Sequence, residues 1–249
     1  MTRETAISRA TRHFDEGKFI EDLARRVAIR TESQIPESRP YMDVYLKDEI
    51  TPAFDRMGFK TEILPNPVEG VGPILLAERI EDASLPTVLM YGHGDVIRGL
   101  EDQWRSGIGP WQLKQEGDKY YGRGTADMKG SIASLLLALE ALRATRTAPL
   151  LNVEVSFTAD EETDSELGAG WLVKHGPIAP DYAVVMEGGE GDKVCCGHNG
   201  TLWLEVSVRG RPAHGSLPHK GINALEKMSA LVTALEDYKR TLAKRAWRT

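Results

Sequence analysis

Only two cysteines occur in the 249 residues, and they are neighbours, Cys195 and Cys196. Two adjacent cysteines build no disulfide framework, and they lack the Cys-x-x-Cys spacing of a zinc ribbon, so both read as reduced, packed strand residues. Long apolar runs are missing too. No stretch approaches the ~18 apolar residues of a membrane span, and the opening Met1-Thr-Arg-Glu-Thr-Ala6 has no apolar core of the kind a secretory signal carries. The expectation is a cytoplasmic protein without a membrane partner. Positive charge is the minority: 31 Lys and Arg face 37 Asp and Glu, a net charge of -6, with a pI near 5.6. That balance offers no electrostatic footprint for nucleic acid. It also means that any cluster of carboxylates in a site needs a cation.

What is present fits an α/β protein. With 41% hydrophobic and 27% charged residues, the chain has enough apolar material for one large domain or two modest ones. Phe14, Phe19, Ile20, Leu23, Val27 and Ala28 recur at helical spacing and predict a helix over 13–30, closed by the polar Thr31-Glu-Ser-Gln34. A second helix is expected over 40–57, interrupted near Pro52 and stopped by Gly58. Strands follow at 59–64, 74–80 and 87–91, then a long loop over 98–121 bearing Trp104 and Trp111 that could wall a site. Ile132, Leu135, Leu136, Leu139 and Leu142 predict a helix over 129–144, and strands are expected at 151–157 and 182–186. Beyond Thr201 the texture changes. Leu202-Trp-Leu-Glu-Val-Ser-Val208 alternates like a strand, 209–221 is rich in Gly and Pro, and a long helix is expected from Ile222 to about Ala246.

Titratable residues gather where apolar runs end. His93 and Asp95 lie in Gly92-His-Gly-Asp95, after the strand at 87–91; Glu161 and Glu162 close Thr158-Ala-Asp-Glu-Glu162; Glu187 follows the strand at 182–186. Asp127 sits in Gly122-Arg-Gly-Thr-Ala-Asp-Met-Lys-Gly130, at the mouth of an apolar helix. In open α/β sheets ligands bind outside the carboxyl ends of the strands, and this repeated placement is what makes the residues candidates. The glycines beside His93 would leave room for a ligand, but each residue also has a plain structural reading: Asp127 as a helix cap, His93 as a satisfied turn histidine, and the acids at 160–162 as a solvated cap of a helix starting near Asp164 or Ser165. Three consecutive carboxylates raise one another's pKa values, and a bound dication reverses that logic.

Taken in order, Gly92-His-Gly-Asp95, the Gly122–Gly130 stretch, Thr158–Glu162 and Ala213-His214-Gly-Ser216 resemble the M20 family of metallopeptidases and amidohydrolases. The resemblance covers the chain from about residue 13 onward. It implies a zinc-peptidase-like mixed sheet with helices on both faces, a catalytic portion over 1–198, and the beginning of an α+β lid or dimerisation domain over 199–249. It also implies two zinc ions, with Co2+ or Mn2+ as possible substitutes. Asp127 would bridge them, His93 and Glu187 would complete one, Glu162 would bind the other, Glu161 would be the general base, Asp95 would orient His93, and His214 would support the oxyanion. The implied substrate is a small peptide or N-acyl amino acid, and the implied assembly a homodimer through the lid. In the family a longer lid is followed by a return to the catalytic domain and a late His ligand; neither follows here before Thr249, so the chain is expected to correspond to the N-terminal part of such an enzyme. His198-Asn-Gly200 departs from the family's common Arg-Gly pair. The competing reading is a non-catalytic module that keeps the scaffold and binds metal or a partner.

Overall fold

The computed structural model describes residues 2–145, 151–187, 193–195, 200 and 203–244. It divides into two compact units, Met1–Lys193 and Val194–Thr249.

In the first unit the helix expected over 13–30 is two helices, α1 (Arg3–Asp15) and α2 (Lys18–Ala28). Gly17, in the left-handed region at φ +77°, separates them, a conformation that glycine adopts without steric cost. The apolar stripe belongs to α2, whose Leu23 and Val27 pack on Ala133. From Arg39 to Arg56 the chain is helical throughout: α3 (Arg39–Asp43), a wider π turn over Val44–Ile50, and α4 (Thr51–Arg56). The interruption expected near Pro52 takes this form. Proline has no N–H to give and its ring crowds the preceding turn, which opens to admit it. The Thr51 hydroxyl donates to the Leu46 carbonyl at 2.8 Å.

Strands β1 (Lys60–Leu64), β2 (Ile74–Arg79) and β3 (Thr87–His93) follow. The segment 98–121 is not all loop: β4 (Lys114–Glu116) and β5 (Lys119–Tyr121) form a separate hairpin sheet. Next come α5 (Lys129–Thr145), β6 (Asn152–Thr158), α6 (Ala169–His175) and β7 (Tyr182–Val185). A short 3-10 turn at Glu161–Thr163 follows β6, and the helix expected to start near Asp164 or Ser165 starts later, as α6 at Ala169.

The main sheet has the order β1-β2-β6-β3-β7. The β1–β2 and β2–β6 pairs are antiparallel, whereas β6, β3 and β7 run parallel, with His93 beside Thr158 and Tyr91 beside Val185. The carboxyl ends of three adjacent strands therefore open on one edge. One face of the sheet, through Leu75, Ala77, Val155 and Phe157, packs against Phe54, Leu135, Leu136 and Leu139 in the main core. The opposite face carries Leu76, Glu78 and Glu154, which line a groove with Pro177 and Ile178 just after α6.

The second unit differs from expectation. The strand read over 202–208 does not form among its described residues, 203–208. A strand needs a ladder for its N–H and C=O groups. Among the described residues of this unit the one β pairing is an isolated bridge between Arg211 and Ile222. The helix is present as α7 (Ala224–Ala243), its first turn capped by Asn223 Oδ1, which accepts from Leu225 N at 3.0 Å. The end of the expected helix, 245–246, lies outside the described residues. Cys195 is exposed and in no strand, contrary to the packed role expected of it, and Cys196, like His198 and Asn199, lies outside the described residues.

Candidate metal centre

His93 is the last residue of β3 and is fully buried. Its flanking glycines do not leave space for a ligand, as the sequence reading allowed. A Cβ on Gly92 would meet Met128 and Phe157, and one on Gly94 would lie 3.0 Å from the Tyr45 ring, so these glycines let the core close on the histidine backbone. The ring Nδ1 is 3.0 Å from the Asp95 carbonyl oxygen and 3.4 Å from Asp95 Oδ1. A carbonyl only accepts, so Nδ1 carries a proton, and the neutral ring presents its lone pair at Nε2. Nε2 faces Asp127 Oδ1 at 3.0 Å, Glu161 Oε2 at 3.7 Å and Glu187 Oε1 at 3.9 Å. Burial by itself would lower the pKa of this ring. The carboxylates of Asp95, Glu161 and Asp127 outweigh burial and hold it at about 9.

One ligand atom each from His93, Asp127 and Glu187 lies within 4.8 Å of the others. The chemistry of this donor set fits a divalent cation: one imidazole nitrogen fixed in the ligating tautomer, and two carboxylates. Without a metal, the second proton on His93 satisfies Asp127; a dication replaces that proton.

Asp95, also fully buried, spans two strand exits. Oδ1 accepts from Glu161 N at 3.3 Å and Oδ2 from Glu162 N at 3.1 Å, so one carboxylate joins the end of β3 to the turn after β6. The three consecutive acids of that turn separate by role. Asp160 turns away, its Oδ2 accepting from Gly168 N at 2.6 Å. Glu161 points to the histidine. Burial raises its pKa, partly offset by His93, and Glu187, Asp95 and Asp127 add to the rise. Glu162 stands outside the three-donor group; burial and then Asp127 raise its pKa to about 7.

Asp127 comes from the loop after β5, and its side chain is 56% exposed. The glycines of that loop are required by close approach. A Cβ on Gly122 would lie 2.8 Å from Val27, and Gly124, at φ +85°, packs on the Lys129 stem and Val96. His214 lies in the second unit and is exposed. Its Nδ1 accepts from Ser216 N at 3.2 Å and lies 2.8 Å from Ser216 Oγ, which leaves the proton of the neutral ring on Nε2 as a free donor.

The sequence reading missed three buried polar residues behind these loops: Thr31, Glu32 and Lys129. Lys129 was legible in principle, because with Ile132, Ala133 and Leu136 it lies on the apolar stripe of α5. Thr31 and Glu32 carry no periodic signal.

A parallel strand edge that collects a buried histidine and several carboxylates is a place where a divalent cation could be held. Residues 89–243 match Peptidase family M20/M25/M40, and the chain belongs to that family. It is 38% identical over 175 residues to acetylornithine deacetylase of Pasteurella multocida, covering 69% of this chain and 43% of that protein. It is 33% identical over 218 residues to a probable succinyl-diaminopimelate desuccinylase of Staphylococcus aureus, covering 86% of this chain and 50% of the relative. Human carnosine dipeptidase 1 superposes with a TM-score of 0.65 at 26% identity, over 73% of this chain and 40% of its own. The chain thus spans about half the length of the curated relatives it matches. No helix among the described residues is long and apolar enough to cross a membrane.

Proposed function

We propose that the chain carries the metal centre of a hydrolase that cleaves the amide bond of an N-acyl amino acid or small peptide. The observation that carries this reading is the convergence of His93, Asp127 and Glu187 donor atoms within 4.8 Å, with Glu161 Oε2 beside them, 3.7 Å from His93 Nε2. The names of the relatives, a deacetylase, a desuccinylase and a dipeptidase, support an amide substrate.

In this reading His93, Asp127 and Glu187 hold one zinc ion, and Asp127 with Glu162 contributes to a second. Dications held by these residues would supply polarisation of a scissile carbonyl and a water of lowered pKa, toward ~7. Glu161 takes the proton from the attacking water and returns it to the departing amine, a role suited to a carboxylate whose pKa burial has raised. Asp95 holds His93 in the ligating tautomer and fixes the backbone of Glu161 and Glu162. His214, whose Nε2–H is free within the second unit, is the candidate oxyanion donor, and the second unit is the candidate surface for pairing two copies.

Because the chain spans about half the length of its relatives and is not expected to turn over alone, the test uses the full-length protein that contains it, zinc-loaded and incubated with N-acetylornithine, N-succinyl-diaminopimelate and carnosine, assayed for free amine. Release from one of these, abolished by Glu161→Ala with zinc retained, is the expected result. Zinc lost together with activity would make Glu161 a ligand. Zinc bound without release from any substrate would overturn the catalytic reading and favour the metal-binding module.

A further inference from the structure

β3, β6 and β7 fix the positions of His93, Glu161 and Glu187 through one hydrogen-bonded sheet. Asp127 lies outside that sheet, because its loop leaves β5, which belongs to the separate hairpin sheet. Its neighbour Met128, buried in the main core, accepts from His93 N at 3.2 Å through Sδ, and α5 begins at Lys129. Contacts outside the sheet therefore set the distance of Asp127 from His93.

The segment after α2, residues 29–34, reaches three of the loops concerned. At its start the Ile29 carbonyl accepts from Lys129 Nζ at 2.6 Å, and the neighbouring Arg26 carbonyl accepts from the same ammonium at 3.0 Å. Lys129 follows Asp127 by two residues and is fully buried, its Nζ 5.0 Å from the centre of the Tyr45 ring. In the middle of the segment, the Thr31 hydroxyl donates to the Gly94 carbonyl at 2.7 Å. Val96 N donates to the Thr31 carbonyl at 2.9 Å, and Ser33 N donates to the Val96 carbonyl at 3.3 Å. Those bonds flank Asp95. Glu32 Oε1 accepts from Gly99 N at 2.7 Å, and at the far end Gln34 Nε2 donates to the Glu162 carbonyl at 3.4 Å.

We infer that residues 29–34 form a strap that sets the spacing of the donor-bearing loops, with Thr31 and Lys129 as positioning residues. The inference rests on the reading that His93, Asp127 and Glu187 hold a dication. Neither Thr31 nor Lys129 belongs to the donor set, and both act through the loops they hold. Their polar groups are buried, so a broken bond finds little water in exchange, and the loop shifts to recover a partner. The segment also lies outside the family match at residues 89–243, so the motifs that carry the metal ligands depend on a stretch that none of them contains.

The experiment measures zinc affinity by chelator competition and amide exchange in the zinc-free protein. The variants are Thr31→Val, Lys129→Met, Thr31→Ser as the rescue that keeps the hydroxyl, and Leu172→Ala as a core control remote in sequence from the strap. Thr31→Val and Lys129→Met are each expected to weaken zinc roughly tenfold or more and to speed exchange at Val96 and Gly99. Thr31→Ser and Leu172→Ala should bind zinc as the unaltered protein does. Zinc affinity unchanged in Thr31→Val, or reduced no more than in Leu172→Ala, would overturn the strap. Should Lys129→Met fail to fold, the nearly isosteric Thr31→Val decides alone. If the unaltered protein binds no zinc, the donor-set reading fails; the strap then stands or falls on whether Thr31→Val speeds exchange at Val96 and Gly99.

Discussion

The two units respond differently to similar sequence signals. In Met1–Lys193 an apolar run such as Val88–Tyr91 becomes a strand between two parallel neighbours, and the residues at its end are so enclosed that His93 and Asp95 have no exposed surface. In Val194–Thr249 the alternating Leu204, Val206 and Val208 form no strand, Leu204 is 72% exposed, and the apolar stripe of α7 leaves Leu225 79% exposed. Alternation and helical periodicity state which face of a segment is apolar, and an element settles only where something packs on that face. Most elements of the first unit find their partners within it, and β7, exposed along its length, settles through its ladder with β3. Among the described residues of the second, none buries the stripe.

The sharpest way to break the comparison is a matched pair of truncations. Phe157, fully buried between the sheet and α4, should lose about 3–5 kcal/mol as Phe157→Ala. Leu225→Ala should stay within about 0.5 kcal/mol. Chemical denaturation of both variants measures this, and equal losses would mean that the second unit has a core of its own. Next in size is Asp127→Ala, which removes a donor from the group and is expected to lower zinc content to a small fraction of that of the unaltered protein by metal analysis. Full retention would remove Asp127 from the donor set. Glu161→Ala is expected to keep its zinc, since Glu161 lies beside the donors and is not one of them.

The smallest expected effect lies on the far face of the sheet. Glu154 stands in register with Glu78, its Oε2 is buried without a partner, and burial, then Glu78, raises its pKa. A carboxyl whose folded pKa is raised contributes stability that is fully present below its unfolded pKa and is lost as pH rises through the folded value. Glu154→Gln should therefore raise Tm at pH 7 by roughly 2 °C, the size of a sub-kcal/mol effect in a domain of this length, and the gain should vanish near pH 4. A gain of equal size at both pH values would show that packing, not charge, is responsible.

Much of the first unit was legible because its signals are local. Gly58 stops a helix, Val153, Val155 and Phe157 alternate along β6, and the apolar stripe of α5 fixes its buried face. Candidate donors could be read from their position at strand ends, which the parallel run of β6, β3 and β7 brings to one edge. What was not legible depended on contacts distant in sequence. That α1 and α2 both pack on α5 is one such contact, and the β4–β5 hairpin is too short for a periodic signal. The glycines beside His93 are explained by Tyr45, Met128 and Phe157, none of which is near them in the chain. Residue pattern alone does not separate Glu162 from Glu161; the family resemblance does, and the 3-10 turn puts Glu161 beside the histidine.

The most direct measurement is the zinc bound per chain after dialysis of the zinc-loaded protein against metal-free buffer, compared with His93→Ala. About one zinc or more per chain, lost in His93→Ala while the fold persists by circular dichroism, is the predicted result. No retained zinc in the unaltered protein, or equal zinc in His93→Ala, would contradict the assignment of His93, Asp127 and Glu187 as a metal centre.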